Sequence, residues 1–234
     1  MGVIYLVRHG QADPQAYGVV GSHAASASGE VGGLTPTGIV QAGLTGDLLA
    51  AQTARITTAI CGDLPRQRDT LAGVLSRFDD TPEAVIDPRW NEYALPALVG
   101  EASADEFADG RAYQKKLDDS LSAWIRRDGT ADAADDGSGE TYRAFRERVD
   151  AAGHDAAAHA GSGQTVLVVS SAGVIAQWIA DLWDVPSQQW PAVARAMINA
   201  SVTKLIVGRR GVSVVSFNEH THLDDRDGGV ATFR

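Results

Sequence analysis

A short apolar segment near the start of the chain ends in residues that could carry out phosphoryl chemistry. Val3–Val7 is apolar, and Arg8, His9 and Gly10 follow it directly. The apolar run predicts a buried central strand. The glycine permits a tight turn, which would leave the arginine and the histidine at the strand's carboxyl end, where open α/β sheets bind ligands. Neutral imidazole is a good nucleophile and guanidinium is a natural partner of phosphate, so the segment predicts a histidine that accepts a phosphoryl group.

Strands and helices alternate along the rest of the chain. Thr35 and Pro36 predict the N-cap and first residue of one helix, and Ser103 with Glu106 predicts a capping box for another. This alternation predicts an α/β fold, a three-layer α/β/α sandwich with a mainly parallel central sheet and helices on both faces. The strand-like runs are Val3–Val7, Arg55–Cys61, Ala84–Ile86, Thr165–Ser170, Val202–Val207 and Val212–Phe217.

Three segments depart from this alternation. Gly208–Gly211, between two β-branched runs, predicts a closing hairpin. A helical excursion from about residue 105 to 159 is expected to form a cap beside the site. Gly21–Gly33 is rich in glycine, serine and alanine, which fits either a lid or a plain surface loop. At 234 residues we expect a single domain spanning residues 1–234.

Composition restricts the partners and the compartment. The formal net charge of −10 argues against general affinity for nucleic acid or an anionic membrane, so the expected partner is a small phosphorylated substrate. The chain shows neither a basic leader nor an apolar run of membrane-spanning length, and we expect a cytoplasmic protein. The single cysteine, Cys61, excludes an internal disulfide and is expected to be buried. No cluster of metal ligands stands out, so neither metal nor cofactor is expected, and a homodimer is left open.

Five stretches, in order, resemble the histidine phosphatase superfamily, also called the phosphoglycerate mutase-like family. One such match would be weak, but five in the family's order, across nearly the whole chain, are specific. The stretches are Leu6–Gln11, Leu34–Gly38, Asp63–Thr70, Asn91–Tyr93 and Phe217–Glu219 with His222 and Leu223.

The resemblance implies a histidine acid phosphatase-type phosphoric monoester hydrolase. Arg8 and Arg66 would hold the phosphate, and His9 would attack phosphorus and become phosphohistidine. Glu92 would protonate the leaving alkoxide and then activate water, and Gln11 would orient a phosphoryl oxygen. The competing explanations are ordinary ones, a packed or surface histidine, an arginine in local ion pairs and a solvated loop carboxylate.

One position departs from the family pattern. Members usually carry a second histidine in a Ser-His-Gly-Gly setting after the fourth strand, and Ser171 stands in its place here. A serine supplies no cation, and losing one transition-state donor costs about 3 kcal/mol. Ser171 could still bind phosphate at a helix N-terminus, and His220 could compensate.

Three functions therefore remain open. The first is a phosphomonoesterase for a small phosphorylated metabolite, slowed by Ser171. The second is a catalytically degenerate relative that binds a phosphorylated ligand without turnover. The third, a phosphoglycerate mutase-type phosphotransferase, ranks lower, since Gln11–Pro14 departs from the continuation seen in the glycolytic mutases.

Overall fold

A six-stranded sheet forms the centre of the computed structural model, which describes residues 1–20, 29–128, 139–224 and 228–233. The strands of this sheet are β1 (Gly2–Arg8), β3 (Thr58–Cys61), β4 (Ala84–Ile86), β6 (Thr165–Ser170), β7 (Val202–Gly208) and β8 (Gly211–Glu219). Their order is β4-β3-β6-β1-β7-β8. The first four are parallel to one another, and β7 and β8 are antiparallel additions at one edge. β2 (Val19–Val20) and β5 (Ala102–Ser103) form a separate parallel pair.

Helices cover both faces of the sheet. They are α1 (Pro36–Gln52), α2 (Pro65–Leu75), α3 (Leu95–Val99), α4 (Ala104–Ala108), α5 (Gly110–Arg127), α6 (Tyr142–His159), α7 (Ala172–Leu182) and α8 (Trp190–Arg195). Because successive side chains of a strand point to opposite faces, Ile4 and Leu6 pack with residues of α5, α6 and α7. Tyr5 and Val7 pack on the other face, against α1 and α2. The predicted three-layer sandwich is confirmed.

Local start signals place the helices that frame the site. The Thr35 hydroxyl accepts a hydrogen bond from the Gly38 N–H at 3.1 Å, and Pro36 occupies the first helical turn of α1. Ser103 and Glu106 form the predicted capping box at α4. Both predictions rest on hydrogen bonds between near neighbours in sequence, and both are confirmed.

Several strand boundaries differ from the sequence prediction, by one to three residues. The strand expected from Arg55 begins at Thr58, because Arg55 is exposed and forms a surface ion pair with Asp80. The last strand is longer than expected, since β8 pairs with β7 from Gly211 onward. The closing hairpin between these two strands is confirmed.

Other features of the sequence lie in the core, at the surface or outside the described residues. Residues 21–28 of the Gly21–Gly33 segment, which fits either a lid or a surface loop, lie outside the described residues, as do residues 129–138 of the helical excursion. Cys61 is buried, and desolvation raises the pKa of its thiol to about 11. Trp178 and Trp190 belong to the core, whereas Trp183 is 48% exposed. Within the described ranges, no helix combines the length and apolar character needed to cross a membrane.

Candidate active site

His9 lies immediately beyond the carboxyl end of β1 and is 2% exposed. Its main-chain oxygen accepts hydrogen bonds from the Ala200 N–H and the Asn199 side chain, both at 3.2 Å. The ring Nδ1 lies 2.8 Å from the Gly10 carbonyl oxygen, which can accept only from a protonated nitrogen. That contact fixes the tautomer in which Nε2 carries the free lone pair. Burial, followed by the charges of Arg66 and Arg8, holds the pKa of His9 well below its usual range, so the ring is neutral and nucleophilic.

Arg8, the last residue of β1, is 5% exposed. Its Nη1 donates to the Met197 carbonyl oxygen, and its Nη2 donates to the Phe233 carbonyl oxygen at 2.9 Å. A guanidinium has five N–H donors, so three remain. The Nε–H of Arg8 is buried and has no acceptor among the described residues. Arg8 is therefore held by two main-chain carbonyl oxygens and lies beside Tyr17, and it keeps N–H donors that these carbonyl groups do not use.

Arg66 reaches His9 from the first turn of α2 and is also 5% exposed. Its Nε donates to Nε2 of His9 at 3.3 Å. The helix is joined to the strand turn through Thr70, whose hydroxyl accepts from the Gly10 N–H at 2.9 Å and donates to the Arg66 carbonyl oxygen. The local ion pairs that the sequence allowed for Arg66 are not formed: in the described part of the chain, neither Arg8 nor Arg66 makes a salt bridge. Two buried, unpaired cations beside a neutral imidazole create a site suited to an anion.

Glu92 lies on the loop that follows β4, and its side chain contacts the N-terminus of α7. Its carboxylate accepts hydrogen bonds from the Gly173 N–H at 3.0 Å and the Tyr93 N–H at 3.3 Å. Glycine is needed at position 173, since a Cβ there would lie 2.4 Å from the Glu92 Oε1. Arg148 supports the loop by donating to the Asn91 carbonyl oxygen at 2.7 Å. Desolvation raises the pKa of Glu92, and this effect outweighs the hydrogen bonds that stabilise the carboxylate. The raised pKa favours the neutral acid form.

The other predicted site residues make different contacts. The side-chain oxygen of Gln11 accepts from the Thr35 hydroxyl at 2.8 Å, which ties it to the start of α1. Ser171 is fully buried, and its Oγ accepts from Nε2 of Gln67 at 3.0 Å. His220 contacts the Asn218 carbonyl oxygen through Nδ1 at 2.7 Å. The structure thus brings Arg8, His9 and Arg66 together, with Glu92 near both arginines.

Sequence reasoning missed several residues that build the site. The Tyr17 ring lies 6.5 Å from the His9 ring and 5.9 Å from the Arg66 guanidinium carbon. Gln67 links the Trp90 carbonyl oxygen to Ser171. Asn218 holds the loop that presents Met197 to Arg8, through contacts with the Ile198 N–H and the Ala196 carbonyl oxygen. A signal for Asn218 existed in the C-terminal motif, but Tyr17 follows no recognisable pattern.

A cavity of about 380 Å³ adjoins these groups. Arg8, Glu92 and Tyr17 line it, and α5 and α8 supply much of the remaining wall. His9 and Arg66 do not line the cavity. Tyr17 lines the cavity and its ring also lies close to both His9 and Arg66, so it connects the cavity wall to the nucleophile.

The sequence from residue 4 to residue 220 matches the family model of the histidine phosphatase superfamily, branch 1. The chain belongs to the histidine phosphatase superfamily. A comparison with curated proteins gave no significant match.

Several solved structures of phosphatases share the fold. One is a phosphoserine phosphatase from Entamoeba histolytica with phosphoserine, at 19% identity and a TM-score of 0.65, covering 95% of this chain and 100% of that one. Another is a mycobacterial glucosyl-3-phosphoglycerate phosphatase with VO3, at 21% identity and a TM-score of 0.64, covering 94% and 100%. A third is the alpha-ribazole phosphatase from Shigella flexneri, at 22% identity and a TM-score of 0.61, covering 93% and 96%. At these identities the likeness establishes the fold alone.

The electrostatic environment of His9 leads to a direct test. Replacing Arg66 with Met removes the cation that disfavours the imidazolium more strongly than Arg8 does, so the pKa of His9 should rise while remaining below its usual range because burial persists. Titration of the His9 ring by ¹⁵N nuclear magnetic resonance measures this change. Arg209→Met, in the exposed hairpin, is the matched control and should leave the His9 titration unchanged. An unaltered titration in Arg66→Met would contradict the described arrangement.

Proposed function

We propose that this chain is a phosphomonoesterase that hydrolyses a small phosphorylated metabolite through a phosphohistidine at His9. The observation that carries the proposal is the pair of buried guanidinium groups around a neutral imidazole, neither of which forms a salt bridge with a carboxylate of the described residues. The named activities of the structural relatives, which include phosphoserine phosphatase and glucosyl-3-phosphoglycerate phosphatase, support the same reaction class. Arg8 and Arg66 would supply the positive charge, with neither metal nor cofactor.

The reaction begins with neutralisation of the phosphate. Arg8 donates its free N–H groups to phosphoryl oxygens. The Nε–H of Arg66 gives up its hydrogen bond to His9 and donates to a phosphoryl oxygen instead. This exchange releases the lone pair of the His9 Nε2. The nitrogen attacks phosphorus in line, a P–N bond forms, and the P–O bond to the alcohol breaks.

Glu92 acts as the general acid in the first half of the reaction and as the general base in the second. In its neutral form it gives a proton to the departing alkoxide. It then accepts a proton from the water that attacks phosphorus as the P–N bond breaks, which regenerates neutral His9. This scheme needs a neutral histidine and a protonated carboxyl at the same pH, the reverse of their ordinary states at pH 5 to 6. The lowered pKa of His9 and the raised pKa of Glu92 widen the pH range in which both forms coexist.

Covalent trapping tests the nucleophile. Brief reaction with a phosphomonoester and an alkaline quench should leave an acid-labile phosphoryl group on His9, detected by mass spectrometry, because the P–N bond survives alkali. His9→Ala should abolish both the adduct and phosphate release, whereas the exposed His154→Ala should retain both. Saturable binding of the ester without turnover in the parent protein would instead indicate the binding-only function.

Replacing Glu92 with Gln tests the acid. Turnover of alkyl phosphates should fall by roughly 10²–10⁴-fold, the usual contribution of general acid–base catalysis. An aryl phosphate with a good leaving group needs less protonation and should lose less. The alkaline fall in kcat/KM, which reports ionisation of the acid, should also disappear. Glu101→Gln, on an exposed loop, is the control, and an equal loss for both ester types would refute the assignment.

We also propose that Gln67 occupies space that a second histidine would need at position 171. Its amide contacts the Ser171 Oγ, and both residues are fully buried. Ser171→His alone should therefore give little gain in phosphatase activity, since the imidazole has no room. Gln67→Ala with Ser171→His should exceed Gln67→Ala alone by up to about a hundredfold in kcat. Full gain in the single Ser171→His variant, or no gain in the double variant, would disprove this coupling.

A further inference from the structure

The cavity beside Arg8 and Glu92 has the character of a site for an uncharged, apolar alcohol. We infer that the preferred substrates are phosphate monoesters whose alcohol carries an aromatic or aliphatic body without a second anionic group. This inference rests on the proposed function and specifies the substrate class of the same site.

The wall of the cavity is mainly apolar. Its surface includes Leu95 from α3, Tyr113, Leu117 and Leu121 from α5, and Pro191 and Ala194 from α8. At about 380 Å³, the cavity falls at the lower end of the range of roughly 300–1,000 Å³ for small-molecule sites. A hydrocarbon chain or a single aromatic ring attached to the ester oxygen would bury its surface here.

The charged groups of the wall disfavour a second anion. Among the described residues that line the cavity, Arg195 is the only cation besides Arg8. Its Nη2 lies 3.3 Å from the Asp118 Oδ2, so its charge is already matched. The other Asp118 oxygen accepts from Nε2 of Gln114 at 2.9 Å. A substrate carboxylate would meet the negative charge of Asp118 without an unpaired cation to offset it.

Esters of primary alcohols test this specificity, because their leaving groups are similar. Hexyl phosphate and 2-phenylethyl phosphate represent apolar alcohols, glycerol 3-phosphate a polar neutral one, and 3-phosphoglycerate and phosphoserine carry a carboxylate. Along a series from ethyl to hexyl phosphate, kcat/KM should rise by about fourfold for each methylene that becomes buried. The apolar esters should exceed glycerol 3-phosphate by at least tenfold, and the carboxylate esters should be the poorest.

Two variants separate the apolar and electrostatic parts. Leu117→Asn should reduce the ratio of hexyl phosphate to glycerol 3-phosphate turnover, while turnover of glycerol 3-phosphate reports that the site is intact. Asp118→Asn leaves Arg195 without its anion and should raise the ratio of kcat/KM for 3-phosphoglycerate to kcat/KM for hexyl phosphate several-fold. Val215→Asn is the control, because Val215 is 54% exposed on β8 and does not line the cavity.

The possible results are distinct. Equal or better turnover of the carboxylate esters by the parent protein would overturn the substrate class and leave the phosphatase function in place. An unchanged ester preference in both Leu117→Asn and Asp118→Asn would also overturn the inference. Absence of turnover for every ester would overturn the proposed function, and this inference with it.

Discussion

The burial of two positive charges beside one imidazole is the constraint around which the site is built. Removing a guanidinium from water carries a penalty of several kcal/mol, and a carboxylate partner usually offsets it. Here the main-chain carbonyl oxygens of Met197 and Phe233 accept hydrogen bonds from Arg8 in place of a carboxylate. The Arg66 guanidinium faces the Tyr17 ring. Carbonyl groups stabilise a cation without neutralising it. The site therefore keeps a net positive potential, in a protein of net charge −10, and that potential is available to a phosphate.

This arrangement joins distant parts of the chain. Arg8 near the N-terminus donates to Phe233 near the C-terminus, and the Thr232 carbonyl oxygen accepts from the Asn199 N–H. Asn199 in turn contacts the carbonyl oxygen of His9. The segment after β8 is thus part of the support of the nucleophile. A change in this segment would alter the orientation of Arg8 and His9 through these contacts.

The sequence predicted the parts of the site that depend on local patterns. An apolar run followed by a glycine places His9 at a strand end, and a proline at the start of a helix places Arg66 in its first turn. It could not predict Tyr17 or Gln67, whose contacts join segments far apart in the chain. Carbonyl partners of an arginine also leave no trace in sequence, because every residue has a carbonyl.

The Gln67–Ser171 contact has an energetic consequence for this unusual pocket. A protonated histidine at position 171 would add a third cation to a region that already buries the guanidinium groups of Arg8 and Arg66. A serine and a glutamine fill the space with neutral groups, and the amide nitrogen of Gln67 is satisfied by both Trp90 and Ser171. On the function proposed here, the transferring phosphoryl group would be stabilised less than by a charged donor at position 171. The free protein gains in return, because the repulsion among buried cations before the ester binds is smaller.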